Sequence, residues 1–367
     1  MMSENSTSLV PIIQRFRAAV RESYQSSRDT LDADLGRPTK PLVPVLLSNM
    51  LAPTEDELNQ LAEQYYGPSG VANFYAETYP EPATRHPLLN LCEALSTRMP
   101  TAFAVDHPME GHREAVSRFG PPDGTLKIYD LPLPKGGQRY REQAETNESF
   151  DAHNDGLGYA GLIATAALFV DSGPALGGYT YFSNMVRNSE ALAVSDPEAF
   201  ATLFEPSAII ARRPRGKGAI EVASPVFYLG PSGDPRCFLR VASGEYEIEW
   251  SNVGVAGVRA REWCESLVQP FANGSVFVHF MTPGEGVLIR NQHVVHGRTP
   301  FLDGHSRRCL SRKWFVSAPA HQPYRHAPSM VADSAYLQLF PEQFDDARTS
   351  GDWSYSQSAG ANVLNTQ

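Results

Sequence analysis

Two separated stretches of the chain carry side chains that could share one metal ion. In Ser149-Phe-Asp-Ala-His153-Asn-Asp155-Gly a histidine and an aspartate stand two residues apart. Extended backbone points positions i and i+2 the same way, so one imidazole and one carboxylate can reach one cation. Alone, that pattern is weak, because His-x-Asp recurs by chance and such a pair is more often a hydrogen-bonded surface feature. The segment Pro283 to Phe301 strengthens it, since an apolar strand there delivers His296 at its end, in the run Val-His-Gly-Arg. Two histidines and one carboxylate form a facial triad that leaves three neighbouring coordination positions open. A bidentate 2-oxo acid and O₂ need those positions on iron(II).

Other residues compete for these roles. His293 lies three residues before His296 but without its context. His279, inside Val-Phe-Val-His-Phe, reads as a histidine that lines the core or braces the ligands rather than a ligand itself. His86, His107, His112, His305, His321 and His326 have no supporting neighbours. Between Arg290 and Lys313 the cations Arg290, Arg298, Arg307, Arg308, Arg312 and Lys313 face one acid, Asp303, a field that would suit a dicarboxylate. The basic run Arg212 to Lys217 is short, broken by Pro and Gly, and reads as a solvated loop.

The elements that must position these residues are mostly strands. Strand-like runs fall at 125–131, 162–170, 179–183, 219–228, 237–241, 275–280, 286–290 and 309–317, short and separated by Gly/Pro turns. Helical patterns fall at 54–66, which opens on the capping box Thr54-Glu-Asp-Glu57, and at 87–98, 196–204 and 257–268. Long helices rarely separate strands in the second half, so an antiparallel barrel or jelly roll is expected over a doubly wound sheet. The 29 prolines and 28 glycines are spread along all 367 residues, which favours one loop-rich domain over linked modules. Within that domain the expectation is a mainly helical segment at 1–50, a core at 120–320 and a mobile tail at 354–367.

The ordered set His153-Asn-Asp155, Gly177-Gly178-Tyr-Thr180, Asn291 to Phe301 and Arg308-Cys-Leu-Ser-Arg312 resembles the taurine dioxygenase superfamily of 2-oxoglutarate oxygenases, closest to its clavaminate synthase and arginine hydroxylase branch. The resemblance implies a mainly β fold with helical elaborations around a double-stranded β-helix, the cupin-like jelly roll. It implies Fe(II) on His153, Asp155 and His296, with 2-oxoglutarate and O₂ as cosubstrates. Thr180 and Arg308 would hold the far carboxylate of 2-oxoglutarate, a task a planar guanidinium suits through two parallel hydrogen bonds. Arg312, Asn291 and Arg298 would contact substrate or brace the ligands. The implied reaction is hydroxylation of an unactivated C–H bond in a small polar substrate, an amino acid or a specialised-metabolite intermediate, with release of succinate and CO₂. Asp155 argues against halogenation, which needs that carboxylate replaced. Two departures bear on substrate: the Phe301-to-Arg308 loop is shorter than in the arginine hydroxylases, and Arg290 stands where an acid is usual.

Two other readings stay open from the residues themselves. A jelly-roll hydrolase could use the same three ligands on zinc, and a non-catalytic jelly-roll protein could keep the pocket. A formal charge of −10 makes nucleic acid a poor partner and favours a small molecule. No stretch has the length of a membrane span or the uninterrupted apolar run of a signal peptide, and four scattered cysteines suggest reduced thiols, so a cytoplasmic location is expected. Homo-oligomerisation is left open.

Overall fold

The computed structural model describes residues 4–24, 42–77, 85–105, 125–130, 143–156, 161–213, 220–230, 232–241, 247–251, 254–269 and 276–317. Six α-helices lie in this part: α1 (Glu4–Ser23), α2 (Glu55–Tyr66), α3 (Pro87–Ala94), α4 (Met185–Ser195), α5 (Pro197–Thr202) and α6 (Val255–Ser266). The first strands are β1 (Val45–Leu47), β2 (Val71–Ala76), β3 (Phe103–Val105), β4 (Leu126–Ile128), β5 (Phe150–His153) and β6 (Ile163–Ser172). Next come β7 (Leu176–Gly177), β8 (Thr180–Asn184), β9 (Ile209–Arg213), β10 (Ile220–Ser224), β11 (Phe227–Leu229) and β12 (Pro235–Cys237). The last are β13 (Glu247–Trp250), β14 (Val276–His279), β15 (Glu285–Arg290), β16 (Val294–Arg298), β17 (Phe301–Leu302) and β18 (Cys309–Val316).

Two sheets face each other. The larger runs β1-β2-β15-β6-β18-β3, with β4 also on β18; the smaller runs β14-β8-β16-β5. All pairings in both are antiparallel except β1 with β2. This is the expected mainly β, double-stranded β-helix architecture. Three apolar clusters hold the layers. Val71, Leu168, Val170, Val287, Ile289, Phe182 and Val294 fill the space between the sheets. Phe74, Phe169, Leu288 and Phe315 pack the back of the larger sheet against Leu58, Leu61, Leu88 and Leu91 of α2 and α3. Behind the smaller sheet, Tyr181 and Val295 meet Phe16, Phe200, Phe204 and Phe227. Each such side chain contributes about 1.5–3 kcal/mol by leaving water.

Local chemistry explains most element boundaries. Thr54 caps α2 by accepting from Glu57 N, while the Glu57 carboxylate accepts from Thr54 N at 2.7 Å. The mostly apolar run of β6, broken only by Thr165 before Asp171, fits a strand buried on both faces, between β15 and β18. Several expectations change. The helix expected at 87–98 ends at Ala94, and the run at 219–228 divides into β10 and β11. At 237–241 the strand proper is β12, which ends at Cys237, and Arg240 makes only an isolated bridge to His153. Helix α4 shows no apolar stripe in sequence, because its polar residues Arg187, Asn188, Ser189 and Glu190 are buried along with Met185 and Val186. The expected helical segment at 1–50 is α1 followed by the edge strand β1; β1, β2 and β3 join the larger sheet, which therefore reaches ahead of residue 120. Residues 354–367 lie outside the described residues. Among the described residues no helix is long and apolar enough to cross a membrane.

Candidate metal centre

His153 ends β5, and Asp155 follows two residues later. His296 sits in the middle of β16, not at the end of the preceding strand as expected: β15 belongs to the larger sheet, residues 291–293 turn, and β16 enters the smaller one. His296 pairs with His153 across β16 and β5, and cross-strand partners share a face. The same holds for His296 and Phe182, whose ring lies in the inter-sheet core, so both imidazoles face between the sheets.

His153, Asp155 and His296 are buried, and their ligand-type atoms lie within 4.8 Å of one another. Nε2 of His153 is 3.5 Å from Asp155 Oδ1, and Nε2 of His296 is 3.7 Å from Asp155 Oδ2. These gaps exceed a hydrogen bond; His153 Nε2 is buried without a hydrogen-bond partner in the structure, as is His296 Nδ1 on its own ring. Nδ1 of His153 donates to Asp151 O at 2.7 Å, which fixes the tautomer and turns Nε2 towards the shared space.

The charge states suit a metal. Burial lowers the pKa of His153, helped by the Arg240 guanidinium, and burial lowers that of His296 to about 3, so both imidazoles are neutral near pH 7. Burial alone would raise the pKa of Asp155, but Arg312, His296 and His153 together pull it well below the usual carboxylate range. Two neutral imidazoles and one carboxylate, each with a ligand-type atom within 4.8 Å of the others, fit a divalent transition metal. Asp155 is itself held: Arg312 Nη1 donates to Oδ1 at 3.3 Å, and the Trp314 indole N–H donates to Oδ2 at 2.8 Å.

Two asparagines join the halves of the site. Asn154 donates through Nδ2 to the carbonyls of Asn291 and of Val294, the latter at 3.1 Å, and accepts from Leu239 N at 2.7 Å. Asn291 accepts from Asp155 N at 2.8 Å and donates to the carbonyls of Asp155 and Ile163. The clamp therefore ties the His-Asn-Asp segment to the β15–β16 turn. Asn154 and Trp314 were not singled out from sequence, because nothing local marks them; their partners are remote in the chain.

The remaining candidates gather at the Thr180 end of β8. Gly177 and Gly178 both have positive φ, 74° and 76°, and a Cβ on Gly178 would press on Phe301 and approach Arg308 Nε, so the turn needs glycine. Thr180 is buried and pairs with Arg298 across β8 and β16. Arg298 donates to Thr146 O at 2.8 Å and to Glu148 O, and its guanidinium lies over Phe301, as does that of Arg308. Burial lowers the Arg308 pKa to about 9 and the Arg298 pKa to about 10, but both remain charged at neutral pH. Arg308 Nη1 is buried without a hydrogen-bond partner in the structure, as a donor awaiting an anion would be.

The lesser candidates have structural occupations. His293 is buried, and its Nδ1 is 2.9 Å from the Tyr24 hydroxyl. His279 pairs with Glu285 at 2.5 Å, and His86 caps α3 while its Nε2 meets Asp171 at 3.1 Å. Arg212 belongs to β9, not to a loop, and pairs with Glu249; 214–219 lie outside the described residues. So do His107, His112, His321 and His326.

Comparison with known proteins adds the family. The solved structures it resembles include an asparagine oxygenase (19% identity over 71% of this chain and 78% of that one, TM-score 0.47). Others are the non-heme iron oxygenase OrfP (15%, 77% and 85%, TM-score 0.49) and the PvcB protein of Pseudomonas aeruginosa (16%, 77% and 90%, TM-score 0.46). No curated protein matches the sequence significantly. The family described as taurine catabolism dioxygenase TauD, TfdA matches residues 101–314, more than half of the chain and the part that contains His153, Asp155, Thr180, His296 and Arg308. The chain belongs to the TauD, TfdA dioxygenase family.

Proposed function

We propose that His153, Asp155 and His296 bind ferrous iron, that Thr180 and Arg308 hold the far carboxylate of 2-oxoglutarate, and that the protein oxidises a C–H bond of a small polar substrate. The observation that carries this reading is the convergence of the three buried side chains from two remote segments. Family membership favours it over a zinc hydrolase or a non-catalytic binding protein. When bound, iron with 2-oxoglutarate supplies O₂ activation and oxidation of an unactivated C–H bond, with 2-oxoglutarate converted to succinate and CO₂.

The protein's own residues do the rest. Asp151 O keeps the His153 ring in the right tautomer; Trp314 and Arg312 fix the Asp155 carboxylate; the asparagine clamp holds the two segments in register. Arg308 offers a desolvated guanidinium, whose hydrogen bonds to a carboxylate are strong where water is excluded. Leu168, Val170 and Phe182 line the inter-sheet core and keep water out. The substrate is an amino acid or a related metabolite, and Arg298 and Arg312 stand on the same walls. Adding Fe(II) and then 2-oxoglutarate to the protein under nitrogen should produce a weak visible charge-transfer band, and air plus the right amino acid should then yield succinate. Zinc binding with no band and no O₂-dependent loss of 2-oxoglutarate across an amino-acid panel would refute the reading.

A further inference from the structure

A polar cluster bridges the two sheets at the end of the site where Thr180 stands. His279 closes β14 and pairs with Thr180 across β14 and β8, and Thr180 pairs with Arg298 across β8 and β16. Cross-strand partners share a face, so these three side chains form one row between the sheets, two residues along from Phe182 in the inner core. An added Cβ at Gly178 would come 3.4 Å from Arg308 Nε, so that guanidinium lies at the same end. On the larger sheet Glu285 opens β15 and shares the inner face of Val287. Its carboxylate meets the row opposite: Oε1 takes His279 Nε2 at 2.5 Å and accepts from Asn73 Nδ2 at 3.0 Å. Oε2 accepts from Thr282 N at 2.9 Å and from Thr282 Oγ1 at 3.3 Å, which fixes the turn that carries the chain from one sheet to the other.

A buried anion in that place works against the cosubstrate. Burial alone would raise the Glu285 pKa, but hydrogen bonds from His279, Thr282 and Asn73 lower it below the usual value, so the carboxylate is ionised at neutral pH. Glu285 is 5% exposed, and little water screens its charge from a second carboxylate beside Thr180 and Arg308. His279 joins the two places, with its backbone paired to Thr180 and its Nε2–H spent on Glu285. We propose that His279 is a positioning residue of the cosubstrate site, which holds the Glu285 carboxylate back and screens it from the far carboxylate of 2-oxoglutarate. This rests on the iron and 2-oxoglutarate reading and adds a residue to the same site.

The test uses the full chain loaded with Fe(II) under nitrogen, titrated with 2-oxoglutarate and separately with 2-oxovalerate, which keeps the 2-oxo acid end and lacks the far carboxylate. The visible charge-transfer band reports both. His279→Gln should weaken 2-oxoglutarate binding about tenfold and leave 2-oxovalerate within about twofold of its native affinity. The double variant His279→Gln with Glu285→Gln should return 2-oxoglutarate to within about threefold of native, because the repelling charge has gone with its screen. Glu285→Gln alone, which leaves His279 in place, should bind 2-oxoglutarate at least as tightly as the native protein, and it serves as the independent measurement if His279→Gln does not fold. A residue that only tied the sheets together would behave otherwise: both 2-oxo acids would weaken together, and the double variant would bind no better than the single one. Either of those results, an unchanged 2-oxoglutarate affinity in His279→Gln, or weaker binding in Glu285→Gln would overturn the proposal. Failure of the underlying reading shows separately, as no band with either 2-oxo acid in the native protein, and the proposal falls with it.

Discussion

The two sheets present unlike walls to the space between them. The inner face of the smaller sheet carries His279, Thr180, Arg298, His296 and His153, with Arg240 beside it. That of the larger sheet is mostly aliphatic, Val71, Ala166, Leu168, Val170, Val287 and Ile289, with Asn73 and Glu285 at one end bonded to His279. Its residues nearest the metal centre, Arg312 and Trp314, cluster on β18 where they reach Asp155. The difference separates two tasks: one wall supplies the chemistry, and the other supplies the apolar mass and excludes water. Charged groups beside a metal centre are hard to bury, and confining most of them to one wall leaves the other free to pack densely.

The sharpest way to break this division is to cut each wall where its task is purest. His296→Ala should abolish Fe(II) binding and reduce O₂-dependent consumption of 2-oxoglutarate to background, while thermal unfolding of the metal-free protein moves by only a few degrees. Leu288→Ala, in the larger sheet and packed against the helices behind it, should do the reverse. It should cost about 2–5 kcal/mol of stability in denaturant titrations, with Fe(II) affinity of the folded molecules unchanged. If His296→Ala unfolded the protein, or Leu288→Ala abolished metal binding without unfolding it, the two-wall account would be wrong. Trp314→Phe probes the part of that wall nearest the metal centre. It keeps the ring but removes the donor to Asp155, and should weaken Fe(II) binding by about 10–100-fold in calorimetry; an unchanged affinity would return β18 to the purely structural wall.

Much of this was legible in the chain because its signals are local. The capping box at Thr54, the Gly-Gly turn before Thr180 and the apolar run of β6 depend on neighbours within a few residues, and the structure keeps all three. The His-x-Asp spacing and the later histidine pointed to a triad, although the turn that carries His296 into the other sheet could not be read, since Asn291 to His293 look like a continuation of β15. What stayed hidden is set by register between remote strands. Arg240 comes beside His153 because its segment pairs with residues 152–154, and Asn154 clamps the site because its backbone partners come from residues 239, 291 and 294. No spacing rule announces such pairings.

The smallest effect tests whether the larger sheet's covering helices are as remote from the chemistry as the comparison holds. Thr54→Ala removes the cap of α2 and should cost about 1 kcal/mol, with no change in metal affinity. Its partner Glu57 adds a pH signature. Burial alone would raise the carboxyl's pKa, but hydrogen bonds from Ser48 and Thr54 lower it below the usual value. A depressed pKa means stability that is present above the unfolded-state value and lost as pH falls through the folded one. Glu57→Gln should therefore be less stable than the native protein at pH 7, and the gap should close in acid, as read from denaturation midpoints across pH. A gap that widened in acid would mean that Glu57 is stabilised in its protonated form, and that α2 is held to the sheet by something other than this cap.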